Sequence, residues 1–267
     1  MKRALLVALC ILTLCSLLFV NTETVKASPT SGYTRIDWPT QTIPNIDGAW
    51  SPSAEWEDTD WTTIGDEAAF GSTWDSADAG VYTRWLVEFF NDTTNDEGDY
   101  WQICLDNNDG GGTAPQASTH YRIDIEGHQN LTMYQGTGTG WTGFTPLPED
   151  ITWKDTLSAS PNGSTPHWIL EFEILKNAGS GLLDIIWGVR VAMYDASDGT
   201  LLVWPPDAER DVPNDWGTNG YEPSTPWPEG FSIEIVVLLS SAALVAGFFF
   251  LRKKSRIDKH KLGQLGK

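Results

Sequence analysis

"HYRIDIEG", residues 120–127, alternates without a break: Tyr121, Ile123 and Ile125 fall on one side, His120, Arg122, Asp124 and Glu126 on the other. A period of two with one apolar and one charged side marks a strand that buries a single face. The same period recurs along the chain. "VYTRWLVEFF" (81–90) sets Val81, Thr83, Trp85, Val87 and Phe89 against Tyr82, Arg84, Leu86, Glu88 and Phe90. "HWILEFEIL" (167–175) sets Trp168, Leu170, Phe172 and Ile174 against Ile169, Glu171 and Glu173. "WGVRVAMYD" (187–195) sets Val189, Val191 and Met193 against Arg190, Ala192 and Tyr194. Shorter runs at 99–106, 130–136, 151–157 and 201–206 continue the series, separated by turn clusters such as "NDTTNDEGD", "DNNDGGG", "GTGTG" and "SPNGSTP". Many short strands with no helical period between them predict an all-β domain, an antiparallel β-sandwich of the jelly-roll or immunoglobulin-like kind.

The two ends of the chain follow a different logic. Residues 1–27 read as a secretory signal: Lys2 and Arg3, an apolar run from Ala4 to Val20, then Val25-Lys26-Ala27 as a small-residue cleavage site. Residues 231–251 are apolar apart from Glu234, long enough as a helix for a bilayer core of roughly 30 Å. The basic stretch at 252–267 then stays in the cytoplasm by the positive-inside rule. The expectation is a single-pass protein of a cell membrane with its bulk outside: a sandwich over 28–206, a Pro-rich cap and stalk over 207–230, and one C-terminal transmembrane helix.

Residues 28–230 carry 33 acidic against seven basic side chains, a formal net of −26. Such a surface repels nucleic acid and anionic polymers and suits neutral ligands or cationic partners. All 14 tryptophans lie in this span. With Cys10 and Cys15 in the signal, Cys104 has no partner for an internal disulfide. Asn91, Asn130 and Asn162 head glycosylation sequons.

Three of the seven cations, Arg84, Arg122 and Arg190, sit mid-strand on the polar sides, alternating with Glu88, Asp124, Glu171 and Glu173. On neighbouring strands they form a mixed Arg/carboxylate face edged by Tyr82, Gln102, His120 and Tyr194. Guanidinium forks and carboxylates bind sugar hydroxyls in pairs; the same residues equally make a cross-strand salt-bridge ladder. Glu171 and Glu173 stand about 6.6 Å apart on one face, a spacing open to a two-carboxylate glycosidase reading, but acid pairs at i, i+2 are common on exposed strands. No Gly-x-Ser-x-Gly and no His-Glu-x-x-His occurs, so the reading is a protein without catalysis. Asp106, Asn108 and Gly110 follow a calcium-loop order, but the twelfth position is Ala117 rather than Glu, and a plain turn accounts for the same residues. Met133, Met193 and His120 offer a Met/His pair for haem, with core packing as the reading that fits Met193.

In order and spacing, "NIDGAWSPSAEWEDTD", "VYTRWLVEFFND", "DYWQICLDNNDGG", "HYRIDIEG", "HWILEFEI" and "GVRVAMYDAS" resemble family 9 carbohydrate-binding modules and the related DOMON-like sandwiches over about residues 43–205. The resemblance implies a sandwich that binds sugar without cleaving it, and a haem- or sugar-binding role among DOMON relatives. It makes Arg122 the principal ligand-binding residue and Trp204 in "VWPPD" a stacking residue, with Trp216 as its rival because the following loop is longer and Pro-rich. Arg84, Arg190 and Glu171 complete the expected ligand-binding set. It also places the "IDG" stretch at the edge of the core, making Trp50, Trp56 and Trp61 structural. The ending "PEGF", a span and "RKK" is similar to archaeal surface-sorting tails, which implies a prokaryotic, archaeal source and a span open to processing. The expected partners are a polysaccharide or glycan and the membrane, with no nucleic acid. The alternatives are a structural envelope or adhesion module that contacts envelope proteins, and a DOMON-like haem domain.

Overall fold

A computed structural model describes residues 29–50, 55–75, 82–176, 182–183 and 186–221; the expected signal, span and basic tail lie outside them. Among the described residues no helix is long and apolar enough to cross a membrane. The chain forms β1 (Thr34–Thr40), β2 (Asp60–Ile64), β3 (Ala68–Asp75), β4 (Tyr82–Phe89), β5 (Tyr100–Asp106), β6 (His120–Glu126), β7 (Asn130–Gly136), β8 (Trp141–Phe144), β9 (Ile151–Ser158), β10 (His167–Leu175), β11 (Ile186–Asp195), β12 (Thr200–Trp204) and β13 (Gly217–Tyr221), with a 3-10 turn at Pro213–Asp215.

These strands make one continuous sheet folded into two layers. The first layer runs β8-β7-β6-β5-β11, with β12 and β13 sharing the far edge of β11. The second runs β9-β10-β4-β3, with β2 on the far edge of β3. Strand β1 belongs to both: Thr34–Asp37 pair with β13 and Trp38–Thr40 with β3. Both pairings are parallel, so the all-β expectation holds while the wholly antiparallel one does not. Residues 217–221, expected in a stalk, form β13 between β11 and β1. Gly217 permits this, because a Cβ there would run into the Trp204 ring.

The core lies between the layers. Trp101, Ile103 and Leu105 of β5, Ile123 and Ile125 of β6, and Val189, Val191 and Met193 of β11 face Phe70 of β3, Trp85, Val87 and Phe89 of β4, and Leu170, Phe172 and Ile174 of β10. Phe70, Trp85 and Phe172 form a cross-strand stack, with centroids 6.0 and 5.6 Å apart. Burial at roughly 25 cal/mol per Å2 of apolar surface drives this layering.

Where β1 passes between layers the alternation is inverted. Arg35 and Asp37 are buried while Ile36 and Trp38 are each 46% exposed. Arg35 is 3.4 Å from Asp37 and donates from Nε to Thr62 Oγ1 (3.1 Å), from Nη2 to the Asp60 carbonyl (2.8 Å), and from Nη1 to Ser72 Oγ. Ser72 Oγ and Asn219 Nδ2 donate to the Asp37 carboxylate at 2.5 and 2.9 Å. A buried ion pair survives only when its remaining donors and acceptors are met, and here they converge from both layers.

Candidate functional site

The expected ligand-binding residues divide between the outer faces of the two layers. On the second layer, Glu171 of β10 is fully buried by the loop between β1 and β2. Its Oε1 accepts from Trp56 Nε1 at 2.8 Å, and its Oε2 accepts from the backbone amides of Asp47 and Gly48, each at 2.8 Å. Thr156 Oγ1 donates to the Gly48 carbonyl at 2.6 Å. Gly48 has φ +80°, and a Cβ there would stand 2.9 Å from the Asp155 carbonyl carbon. Trp56 packs with Leu86 and Ile169, and a stacked Trp50–Trp61 pair, 4.9 Å between centroids, lies against that cluster. Glu171 is therefore the anchor of an internal latch; burial pushes its carboxyl up to about 7 against the donors from Trp56, Gly48 and Asp47. Arg84 on the same face is bound to Glu173 at 2.7 Å.

On the first layer three cross-strand rows build a different surface. One row carries Arg190, Cys104, Arg122 and Tyr134; the next Ala192, Gln102, Asp124 and Thr132; the third Tyr194, Tyr100 and Glu126. Arg122 lies over the rings of Tyr134 (4.0 Å to the centroid) and Trp141 (5.3 Å). Its Nη2 reaches Asp124 Oδ2 at 3.0 Å, and its buried Nε has no hydrogen-bond partner. Gln102 Nε2 donates to Asp124 Oδ1 at 3.1 Å, while Arg190 donates from Nη1 to Gln102 Oε1 (2.9 Å) and from Nε to the Ala208 carbonyl (2.8 Å). Burial raises Asp124 above the usual carboxylate range, opposed by the Arg122 charge. Tyr100 and Tyr194 stack at 5.3 Å beside this network. An open cleft of about 500 Å3 flanks Arg190, lined by Ile64, Leu201, Val203, Pro206 and Ala208 among others.

The segment after β12 closes one side of this face. Trp216 is fully buried against Cys104 and Ala208 and donates from Nε1 to the Glu209 carbonyl at 3.0 Å. Trp141 donates to Asp211 Oδ1 at 2.7 Å, and Asp211, paired with Arg210, is held down to about 2. Trp216 thus roofs the site from within. Trp204, expected to stack on a ligand, points into the core, edge-on to Phe70 at 5.2 Å. The structure brings together Arg122 and Arg190, keeps Trp216 beneath the adjoining segment, and sends Glu171 and Arg84 to the opposite face.

Asp106 is buried, accepting from the Gly111 amide at 2.7 Å and lying 3.3 Å from His120 Nε2, while Asn108 Oδ1 accepts from the Gly110 amide at 3.1 Å. Those bonds close the turn on itself, so the calcium-loop order there serves the turn. Met133 and Met193 point into the core and His120 to the outer face of the same layer, so they face no common haem.

The residues that frame Arg122, Tyr134 and Trp141, went unremarked in the sequence reading. A signal for Tyr134 was present: a tight turn at 127–129 pairs Glu126 with Asn130, and counting back along that hairpin sets Tyr134 opposite Arg122. Trp141 follows on β8, the edge strand, whose pairing with β7 sets it across from Gly136.

No protein-family model matches the chain, and no curated protein matches it. Among solved structures it is similar to a candidate carbohydrate-binding protein from Bacteroides uniformis, at 14% identity over 72% of this chain and 100% of that chain, with a TM-score of 0.46.

Proposed function

We propose that this protein binds a neutral glycan, without cleaving it, on the outer face of the first layer. The observation that carries the reading is Arg122: a guanidinium laid over Tyr134 at 4.0 Å and Trp141 at 5.3 Å and tied to the Asp124 carboxylate. A sugar needs an apolar ring surface, hydrogen-bond donors and an acceptor within one small area. Tyr134 and Trp141 supply the first, Arg122 and Gln102 the second, and Asp124 the third. The acidic balance argues for a neutral ligand over an anionic one. Signal and span in the sequence favour display outside the cell, anchored by the C-terminal end.

The test is a glycan array on the full-length chain and on Arg122→Ala. Saturable binding lost in the variant supports the reading; equal binding by both removes the site. One observation favours the second reading, an envelope module: Ile36 and Ile186, 46% and 51% exposed, flank Gly220 across β1, β13 and β11 and make an apolar strip suited to a protein neighbour. That reading predicts no sugar affinity and loss of envelope association in Ile36→Ser.

A further inference from the structure

At the end of the sandwich where the chain passes from β4 in one layer to β5 in the other, acidic side chains from separate segments converge. Asp92, Asp96 and Asp99 come from the β4–β5 loop and Asp195 from the end of β11. Asp92, Asp99 and Asp195 are 1, 1 and 4% exposed. One ligand atom from each of Asp96, Asp99 and Asp195 lies within 4.8 Å of the others, and the same holds for Asp92, Asp99 and His128. Among the described residues no Lys or Arg pairs with these four carboxylates.

His128 is the independent pointer. Its side chain is 4% exposed, stacked on Trp168 at 3.5 Å, with Nδ1 2.7 Å from Asp155 Oδ2. Asp155 is held in turn by Trp101 Nε1 at 3.1 Å. A proton on Nδ1 shared with Asp155 leaves the Nε2 lone pair directed at the carboxylates, where it has no hydrogen-bond partner and stands 3.6 Å from Asp99 Oδ2. A carboxylate behind an imidazole whose other nitrogen faces more carboxylates is the arrangement that orients a histidine toward a cation.

We propose that Asp96, Asp99 and Asp195 bind one hard divalent cation, Ca2+ or Mn2+, with Asp92 and His128 Nε2 grouped around the same Asp99. The donor set is dominated by carboxylate oxygens, which these ions prefer. Two oxygens on one Ca2+ lie at most about 5 Å apart, twice the usual bond length, and the Asp96, Asp99 and Asp195 oxygens, all within 4.8 Å of one another, fit. The cation clasps the crossover between layers and ties it to the β6–β7 and β11–β12 turns. It also borders a cleft of about 480 Å3 lined by Glu97, Tyr100, Glu126 and Asn130.

The full-length chain in detergent, stripped with EDTA and dialysed, is titrated calorimetrically with CaCl2 and with MnCl2. One ion per chain is expected, with a higher Tm than in EDTA and an affinity at least tenfold weaker in Asp99→Asn. His128→Gln separates the ions: Mn2+ takes the imidazole and weakens in the variant, whereas Ca2+ does not. Should Asp99→Asn fail to fold, Asp96→Asn gives a sign test. Relieving repulsion raises its Tm above wild type in EDTA, and losing a ligand lowers it below wild type in the cation. No binding of either ion to folded protein, binding undiminished in both variants, or Asp96→Asn more stable in both media would each overturn the proposal.

Discussion

Replacing Trp56 with Phe tests the latch over the second layer. The indole is fully buried and donates to Glu171 Oε1 at 2.8 Å. The change removes three ring atoms, worth about 1 kcal/mol at ~25 cal/mol per Å2. It also removes a hydrogen bond worth about 1.5–3 kcal/mol to an ionised acceptor but only about 0.5–1.5 to a neutral one. Because burial pushes Glu171 up to about 7 from its ordinary 4.5, the acceptor is neutral at pH 5 and charged at pH 8. For the wild type the sign follows from a raised folded pKa: stability from this group is fully present below about 4.5 and is lost as pH rises through about 7. Trp56→Phe removes a donor that favours the charged form, so its deficit grows with pH, from about 1.5–2.5 kcal/mol at pH 5 to about 2.5–4 at pH 8. Urea denaturation followed by far-ultraviolet circular dichroism measures both, and groups titrating alike in the two proteins cancel in the difference. A deficit equal at the two pH values would refute the indole–carboxylate bond as the latch.

Other consequences follow from the same geometry. Gly48→Ala forces a side chain into φ +80° and against the Asp155 backbone, and costs about 2 kcal/mol or more by denaturant unfolding while the first-layer face keeps its ligand. Trp204→Ala removes a buried core ring and costs about 3–5 kcal/mol in the same assay, whereas Trp141→Ala, at the half-buried rim, costs less than half of that and loses ligand. Cys104, fully buried with its thiol pushed up to about 12, stays unlabelled by Ellman's reagent at pH 8 in native protein and reacts fully in denaturant; native labelling within minutes would place it elsewhere.

The eight strands read from the sequence carry an apolar/polar alternation or a short apolar run bounded by turns, and each is present. The five that went unread lack that signal for physical reasons. In β1 the polar Arg35 and Asp37 face inward and Ile36 and Trp38 outward, so hydropathy points the wrong way. In β3 both faces are buried, so Ala69, Gly71 and Thr73 give no polar contrast with Ala68, Phe70 and Ser72. β13 opens on Gly217, which makes room for Trp204, and has no apolar period of its own. Alternation correctly set Arg84, Arg122 and Arg190 on outer faces, but a period of two does not say which layer a strand joins. That is why one expected constellation became two, with Glu171 and Arg84 on the latch side. The convergence of Asp92, Asp99, Asp195 and His128 depends on three separate connections meeting at one end, which a turn-rich "NDTTNDEGD" does not reveal.

The central claim concerns Arg122 and its aromatic frame, and quantitative glycan binding on the full-length chain tests it most directly. Wild type is expected to bind a neutral glycan saturably, with Arg122→Ala and Trp141→Ala each weaker by at least about tenfold, the loss of roughly 1.4 kcal/mol or more that one ring stack or charged hydrogen bond supplies, and with Arg122→Ala still cooperatively folded. Folded wild type that binds no glycan, or an Arg122→Ala variant that binds as tightly as wild type, would contradict the account.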